Sequence, residues 1–409
     1  MVAISPFRAL RYNAEQFGDL TPVLSPPYDV ITPDEQERLY AASPHNVVRL
    51  ILGKQSASDT ETDNRYTRAQ RDFSAWRQGG ALRADTAPAL YVIRHTFREA
   101  GQAHTRLGFI ALLGLDDATV RQVYRHEATL AAPKVDRTKL MEAIPANLEP
   151  IFCVYPDDGG GLQRLLEGIT ARAATAAGRL DDDQVQLWAV SDPALIEQIQ
   201  RGLAASAMLI ADGHHRFEVA RSQRQRYPWV MSYFASMADP ALEIRPIHRV
   251  VEAPLDVAAL GAVCTTTPAR SLEDVMAWLK ASDDQGRFGA CAGSKCYQVE
   301  VTPTAMAQWL MAPTVPLPLA TLDVSILHGL VLPRLGINGS GVTYTGNLAH
   351  AVQAAGQPSG RTAAWLLRGI PLAQVFALAS QGLLLSPKST YFYPKVPSGL
   401  VMNPWDVLP

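Results

Sequence analysis

Ala207-Met208-Leu209-Ile210-Ala211-Asp212-Gly213-His214-His215-Arg216 passes from a short apolar run into a glycine turn, and Phe217, Ala220 and Arg221 continue it at helical spacing. That order reads as strand, turn, helix. A strand-turn-helix with glycine at the turn brings free backbone amides and the positive end of a helix dipole up to an anion. Gly213 lacks the side chain that would keep the backbone off a phosphate, Arg216 offers a planar fork of donors, and His214 and His215 can give or take protons. Asp212 is placed to cap the helix or to reach a metal bound to the phosphates. The plainer alternative is that Asp212 is only an N-cap and the histidines are polar surface residues. A zinc site is weaker, because ligands to one ion usually stand a helical turn apart whereas these histidines are adjacent.

Outward from the turn, the chain alternates strand-like and helix-like segments. Residues 90–93 and 107–112 read as strands joined by a polar loop around Gly101, and residues 151–155 read as a third. Residues 64–78 carry Tyr66, Ala69, Phe73 and Trp76 on one helical face, and Thr32 with Glu35 marks another helix start. Residues 161–178 and 191–205 are expected to be helices. Beyond Ile247, helices are expected at about 272–281 and 321–335, with strands at 297–301 and 362–367. The fold class expected is α/β (α+β), a mixed sheet core with an additional helical C-terminal region. Three parts are expected: an N-terminal region (1–120), a phosphate-binding region (121–250) and a C-terminal α/β region completing the site (251–409).

Composition narrows the functional classes. A chain of 409 residues that is 47% apolar can bury a sizeable core. Lys plus Arg (37) nearly balance Asp plus Glu (39), so no overall basic field favours nucleic acid or an anionic membrane. Cys153, Cys264, Cys291 and Cys296 match neither a zinc framework nor a disulfide-dense one; buried thiols are expected, with Cys291 and Cys296 able to pair under oxidant. The start of the chain lacks a basic segment followed by a long apolar one, and no later stretch is apolar enough to span a bilayer. The expected location is the cytoplasm.

Two further clusters carry chemistry. His126-Glu127-Ala128-Thr129 precedes Lys134-Val135-Asp136-Arg137, so a candidate base and several cations lie close in sequence. Glu127 there can activate a hydroxyl while Lys134 and Arg137 screen phosphate charge; the alternative is a solvated loop whose charges pair with one another. Pro387-Lys388-Ser389-Thr390-Tyr391-Phe392-Tyr393-Pro394-Lys395 concentrates two lysines, hydroxyls and aromatics between prolines. It can close over an anion, or its aromatics can be core and its lysines solvent-facing. Ile247-His248-Arg249 and the segment from Pro44 to Arg49 are expected to be structural.

With Pro26-Pro27-Tyr28-Asp29-Val30 at the front, the His126-Glu127-Ala128-Thr129, Asp212-Gly213-His214-His215-Arg216 and Pro387–Lys395 motifs occur in this order over nearly the whole chain. Together they resemble the bacterial and archaeal family known as domain of unknown function ten-fifteen. The glycine turn is also similar to that of the ParB and sulfiredoxin superfamily, where a Gly-x-x-Arg turn opening a helix holds nucleotide phosphates. Free serine kinases belong to that superfamily and carry a similar Asp-Gly-His-His-Arg run.

The resemblance implies a ParB/sulfiredoxin-like nucleotide-binding unit in which Gly213 and Arg216 hold phosphate and Asp212, His214 and His215 surround the transferred group. Lys134, Arg137, Lys388 and Lys395 are assigned to the polyphosphate, and His126, Thr129, Tyr28 and Asp29 to the acceptor substrate. Glu127 is the candidate base, and Mg²⁺ arrives with the nucleotide, with Asp212 as its nearest protein ligand. The implied reaction is phosphoryl transfer from a nucleoside di- or triphosphate to the hydroxyl of a free amino acid, L-serine first, giving O-phosphoserine. The rivals are a nucleotide-binding switch without turnover and a metal-dependent phosphoester hydrolase.

Overall fold

Leu90–Glu99 and Gln102–Gly114 form a long antiparallel hairpin that turns at Gly101, whose φ is +82°. The computed structural model describes residues 1–99, 101–339, 341–356 and 361–407. The chain divides into two units, the first made of Met1–Arg125, Thr129–Leu242 and Pro394–Pro409, the second of His126–Ala128 and Glu243–Tyr393.

In the first unit the hairpin is the middle of a nine-stranded sheet. Its order is Val123–Tyr124, Met208–Asp212, Ile151–Tyr155, Trp229–Ser236, Gln102–Gly114, Leu90–Glu99, Asp183–Val190 and Ala176–Leu180, with Ile4–Ser5 also paired to Gln102–Gly114. The sheet is mixed: Trp229–Ser236 runs parallel to Ile151–Tyr155 and antiparallel to Gln102–Gly114. Its central strands read as unbroken apolar runs, not alternations, because both faces are covered. One face packs Phe109, Ile151, Ile210, Phe217 and Phe234 into a core with Leu166 and Ile199 from the helices Gly161–Thr170 and Pro193–Leu203. Phe109 and Phe234 stack with centroids 5.1 Å apart. The α/β class with a mixed sheet core is therefore as expected.

The helices of residues 33–42 and 65–78 start where the sequence places them. The Thr32 hydroxyl accepts from the Glu35 amide at 3.3 Å, and Asn64 caps the second through a reciprocal box with Thr67. The expected helix at 161–178 is corrected: it ends at Thr170, and Ala176–Leu180 is a strand. Ala176, Ala177 and Gly178 pair with Asp183–Val190 across a tight turn at Asp181, φ +53°. Sheet pairing here overrides the helical preference of alanine.

The second unit contains a six-stranded antiparallel sheet in the order Cys264–Ala269, Lys295–Val301, Arg287–Ala292, Ala363–Leu366, His248–Val251 and Val342–Thr345. Leu272–Lys280 and Leu348–Ala355 bury Val275, Leu279, Ala351 and Ala355 against Val250, Ala364 and Leu366. The expected helix at 321–335 is a helical run in three pieces, α over Asp323–Ile326, π over Leu327–Val331 and 3₁₀ over Leu332–Leu335. Pro333 removes an amide donor there, so a continuous α ladder is impossible. Cys291 and Cys296, directly opposite in a hairpin, are joined in a disulfide, whereas Cys153 and Cys264 are buried thiols. Among the described residues no helix is long and apolar enough to cross a membrane.

Candidate functional site

The strand Met208–Asp212 ends at Gly213, whose φ of +88° swings the chain into the helix His214–Ser222. A left-handed residue is needed at that point, and glycine takes the conformation without steric penalty. The guanidinium of Arg216 folds back over the turn: a Cβ at position 213 would meet its atoms at 3.1–3.2 Å.

Asp212 is the centre of the cluster. One carboxylate oxygen pairs with the Lys395 ammonium; the other accepts from Arg216 Nη2 at 2.7 Å. Asp212, Arg216 and Lys395 are each 12% exposed in their side chains. Burial works against the Asp212 charge, but Lys395 and then Arg216 outweigh it and hold the carboxyl well below its usual range. Arg216 also donates through Nη1 to the Pro150 carbonyl, while its buried Nε has no hydrogen-bond partner. His214 is buried, and His215 accepts the Leu130 amide on Nε2 at 2.9 Å.

Lys395 reaches the turn because the C-terminal segment is laid along the first unit. Arg106, 1% exposed, donates from Nη1 to the Pro394 carbonyl at 2.5 Å and from Nε to the Tyr233 hydroxyl at 3.2 Å. Gly108 makes the room for Tyr233, since a Cβ there would lie 2.3 Å from the hydroxyl. Ser25 and Ser398 exchange backbone hydrogen bonds further along.

Behind Arg216 lies a residue the sequence reading passed over. Glu149 is 6% exposed and accepts the Tyr28 amide and the Ser398 hydroxyl on Oε1, both at 3.1 Å. Its other oxygen stands 3.6 Å from Arg137 Nη1. Burial raises its pKa, against the opposing pull of Arg216 and Arg137. Arg216 is held charged, burial being outweighed by Glu149, Asp212 and Asp29. The signal was a lone carboxylate between Leu148 and Pro150, directly before the apolar run from Ile151 to Val154.

The first unit thus gathers Tyr28, Asp29, Arg137, Asp212, Gly213, His214, His215, Arg216 and Lys395. The Arg137 guanidinium stacks 3.8 Å from the Tyr28 ring centroid, also donates to Asp136 and to the Ile51 carbonyl, and is 6% exposed. Thr129 and Lys134 are half-buried, the latter on the first turn of the helix Ala131–Ala143. His126, Glu127 and Lys388 belong to the second unit. There His126 bonds the Thr390 hydroxyl at 2.8 Å, and Glu127 accepts the Lys388 amide at 3.1 Å. Among the described residues no three His, Cys, Asp or Glu side chains form a metal-holding group.

Residues 4–325 match the family described as protein of unknown function, DUF1015. No curated protein matches the sequence. Solved structures with similarity include a conserved hypothetical protein from Pyrococcus furiosus, 13% identical, TM-score 0.36, covering 73% of this chain and 97% of that one. A free serine kinase in complex with AMP is 13% identical, TM-score 0.35, over 69% of this chain and 86% of the other. SbnI from Staphylococcus aureus, with a C-terminal truncation, is 11% identical, TM-score 0.36, over 71% and 86%.

Proposed function

The chain belongs to the DUF1015 family, and from that premise and the geometry of the glycine turn we propose that it binds a nucleoside di- or triphosphate and transfers a phosphoryl group to the hydroxyl of a small molecule. One observation carries the reading: Lys395 and Arg216 converge on Asp212 at the amino end of the helix His214–Ser222. The first amides of a helix have no intrahelical partner, and the dipole there favours negative charge. A polyphosphate is the ligand whose charge competes with Asp212 for both cations, and the unspent Nε of Arg216 adds a donor.

Within this reading the protein's groups divide the work. Lys395 and Arg216 take up charge as the bond to the leaving phosphate breaks, and a base accepts the hydroxyl proton as the new oxygen–phosphorus bond forms. Glu127 is assigned that role on the sequence resemblance alone, as are His126, Thr129, Tyr28 and Asp29 for the acceptor. L-Serine, giving O-phosphoserine, is the first acceptor to try. Mg²⁺ enters with the nucleotide, where it would neutralise phosphate charge. Asp212 is a poor resident ligand for it, since both oxygens already hold cations, and no step is assigned to a protein-held metal.

Calorimetric titration with ADP, ATP and CTP tests the binding step. Measurable affinity that falls at least tenfold in Lys395→Ala supports the reading; unchanged affinity in that variant removes it. Binding without any phosphorylated product would favour a nucleotide-controlled switch.

A further inference from the structure

Arg106 lies on the strand Gln102–Gly114, and its guanidinium is packed against two aromatic rings, 4.8 Å from the Phe152 centroid and 5.3 Å from that of Tyr233. Those rings meet edge to face with centroids 5.2 Å apart. A charged side chain that is 1% exposed is costly to desolvate, and what this one obtains in return is aromatic contact, the Tyr233 hydroxyl and the Pro394 carbonyl. An apolar residue could fill the space between the rings, but it could not hold that carbonyl.

The place of the bond in the sheet gives it meaning. Tyr233 is opposite Phe152 in register, and Phe152 is opposite Asp212 on the next strand. Neighbouring strands are about 4.8 Å apart, so Tyr233 and Asp212 are separated by about 10 Å across the sheet. Arg106 therefore fastens the C-terminal segment beside these rings, and the very next residue, Lys395, carries its ammonium to the Asp212 carboxylate. All of these residues belong to the first unit.

A peptide group is planar, so a hold on the Pro394 carbonyl also fixes the amide of residue 395 and the direction in which the lysine leaves the chain. Proline adds a fixed φ of about −65° on the other side. In the proposed reaction a phosphate takes the Lys395 ammonium from Asp212, and from then on the carboxylate no longer anchors the lysine. The bond from Arg106 to Pro394 is untouched by that exchange. Arg216, the second cation on Asp212, has a comparable anchor, since it donates through Nη1 to the Pro150 carbonyl.

We propose that Arg106 is a positioning residue for Lys395, holding the peptide between Pro394 and Lys395 so that the ammonium stays at the glycine turn when a phosphate displaces Asp212. This rests on the phosphotransferase reading and names a buried residue on which its binding step depends.

Calorimetric titration of ADP into the full chain tests it in wild type, Arg106→Met, Lys395→Ala and the double variant. Methionine keeps apolar contact with the rings but cannot donate to the carbonyl. Arg106→Met is expected to bind ADP roughly tenfold or more weakly than wild type, whereas in the Lys395→Ala background the same change should cost less than about twofold, because the lysine it acts through is gone. An equal loss in both backgrounds would reveal a general structural effect and overturn the proposal, as would wild-type affinity in Arg106→Met. Should Arg106→Met not fold, Arg106→Gln, polar but shorter, enters the same cycle under the same criteria. Wild-type protein that binds no ADP removes the phosphotransferase reading and this inference with it. Weakened binding in Lys395→Ala beside unaffected Arg106 variants overturns this inference alone.

Discussion

Lys395 and Asp212, 183 residues apart in sequence, form an ion pair that joins the C-terminal segment to the start of the helix His214–Ser222. Asp212 is shared with Arg216, so the carboxylate is both a structural tie and the group that a phosphate must displace.

Lys395→Ala removes one of two cations from a carboxylate that is 12% exposed, so a loss of about 1–2 kcal/mol is expected, less than for a fully stranded buried charge. The pH dependence has a definite sign. The folded-state pKa of Asp212 is depressed, so its contribution is fully present above the unfolded value of about 4 and fades as pH falls through the folded one. Urea midpoints of wild type and variant should therefore differ at pH 7, begin to converge below about pH 4 and meet only below about pH 2. A gap that persists in acid would locate the effect in packing and not in charge.

Gly213→Ala combines two penalties. The residue is held at φ +88°, which costs an alanine about 1–2 kcal/mol, and its Cβ would press on the Arg216 guanidinium. The variant should unfold at lower urea and bind ADP more weakly. Wild-type stability would show that the turn relaxes to another conformation.

Glu149→Ala should destabilise the first unit by about 3 kcal/mol, since it strands the Tyr28 amide, the Ser398 hydroxyl and part of the Arg137 charge. Glu149→Gln keeps an oxygen for the first two and should lose less than half as much. Equal losses in chemical denaturation would show that the charge, not the hydrogen bonding, is what matters.

Local signals in the sequence were enough for the turn. An apolar run, glycine and helical spacing specify the strand, the left-handed residue and the helix at 208–222 without any distant contact. The Thr32 cap was legible for the same reason, since caps act over three residues. What was hidden depends on long-range pairing. Ala176–Leu180 has helical composition and becomes a strand only through Asp183–Val190, and Glu149 gains meaning only beside Arg137, Arg216 and Ser398.

The base assignment makes the most demanding prediction. Glu127 has one oxygen on the amide of Lys388, a residue held at φ +61°, so its carboxylate is oriented by backbone and not left to a mobile side chain. Glutamine has nearly the same shape and can accept the same hydrogen bond, but it cannot take a proton from a hydroxyl at neutral pH. If Glu127 acts in the chemical step, Glu127→Gln should retain ADP and ATP affinity and lower kcat by roughly a hundredfold or more, the usual scale for a general base. Phosphorus NMR with L-serine, threonine, homoserine and glycerate as acceptors gives the turnover. A variant that makes product at the wild-type rate would exclude Glu127 as the base. One that loses nucleotide affinity would assign it to binding, because removing a proton acceptor alone leaves the ground-state complex intact.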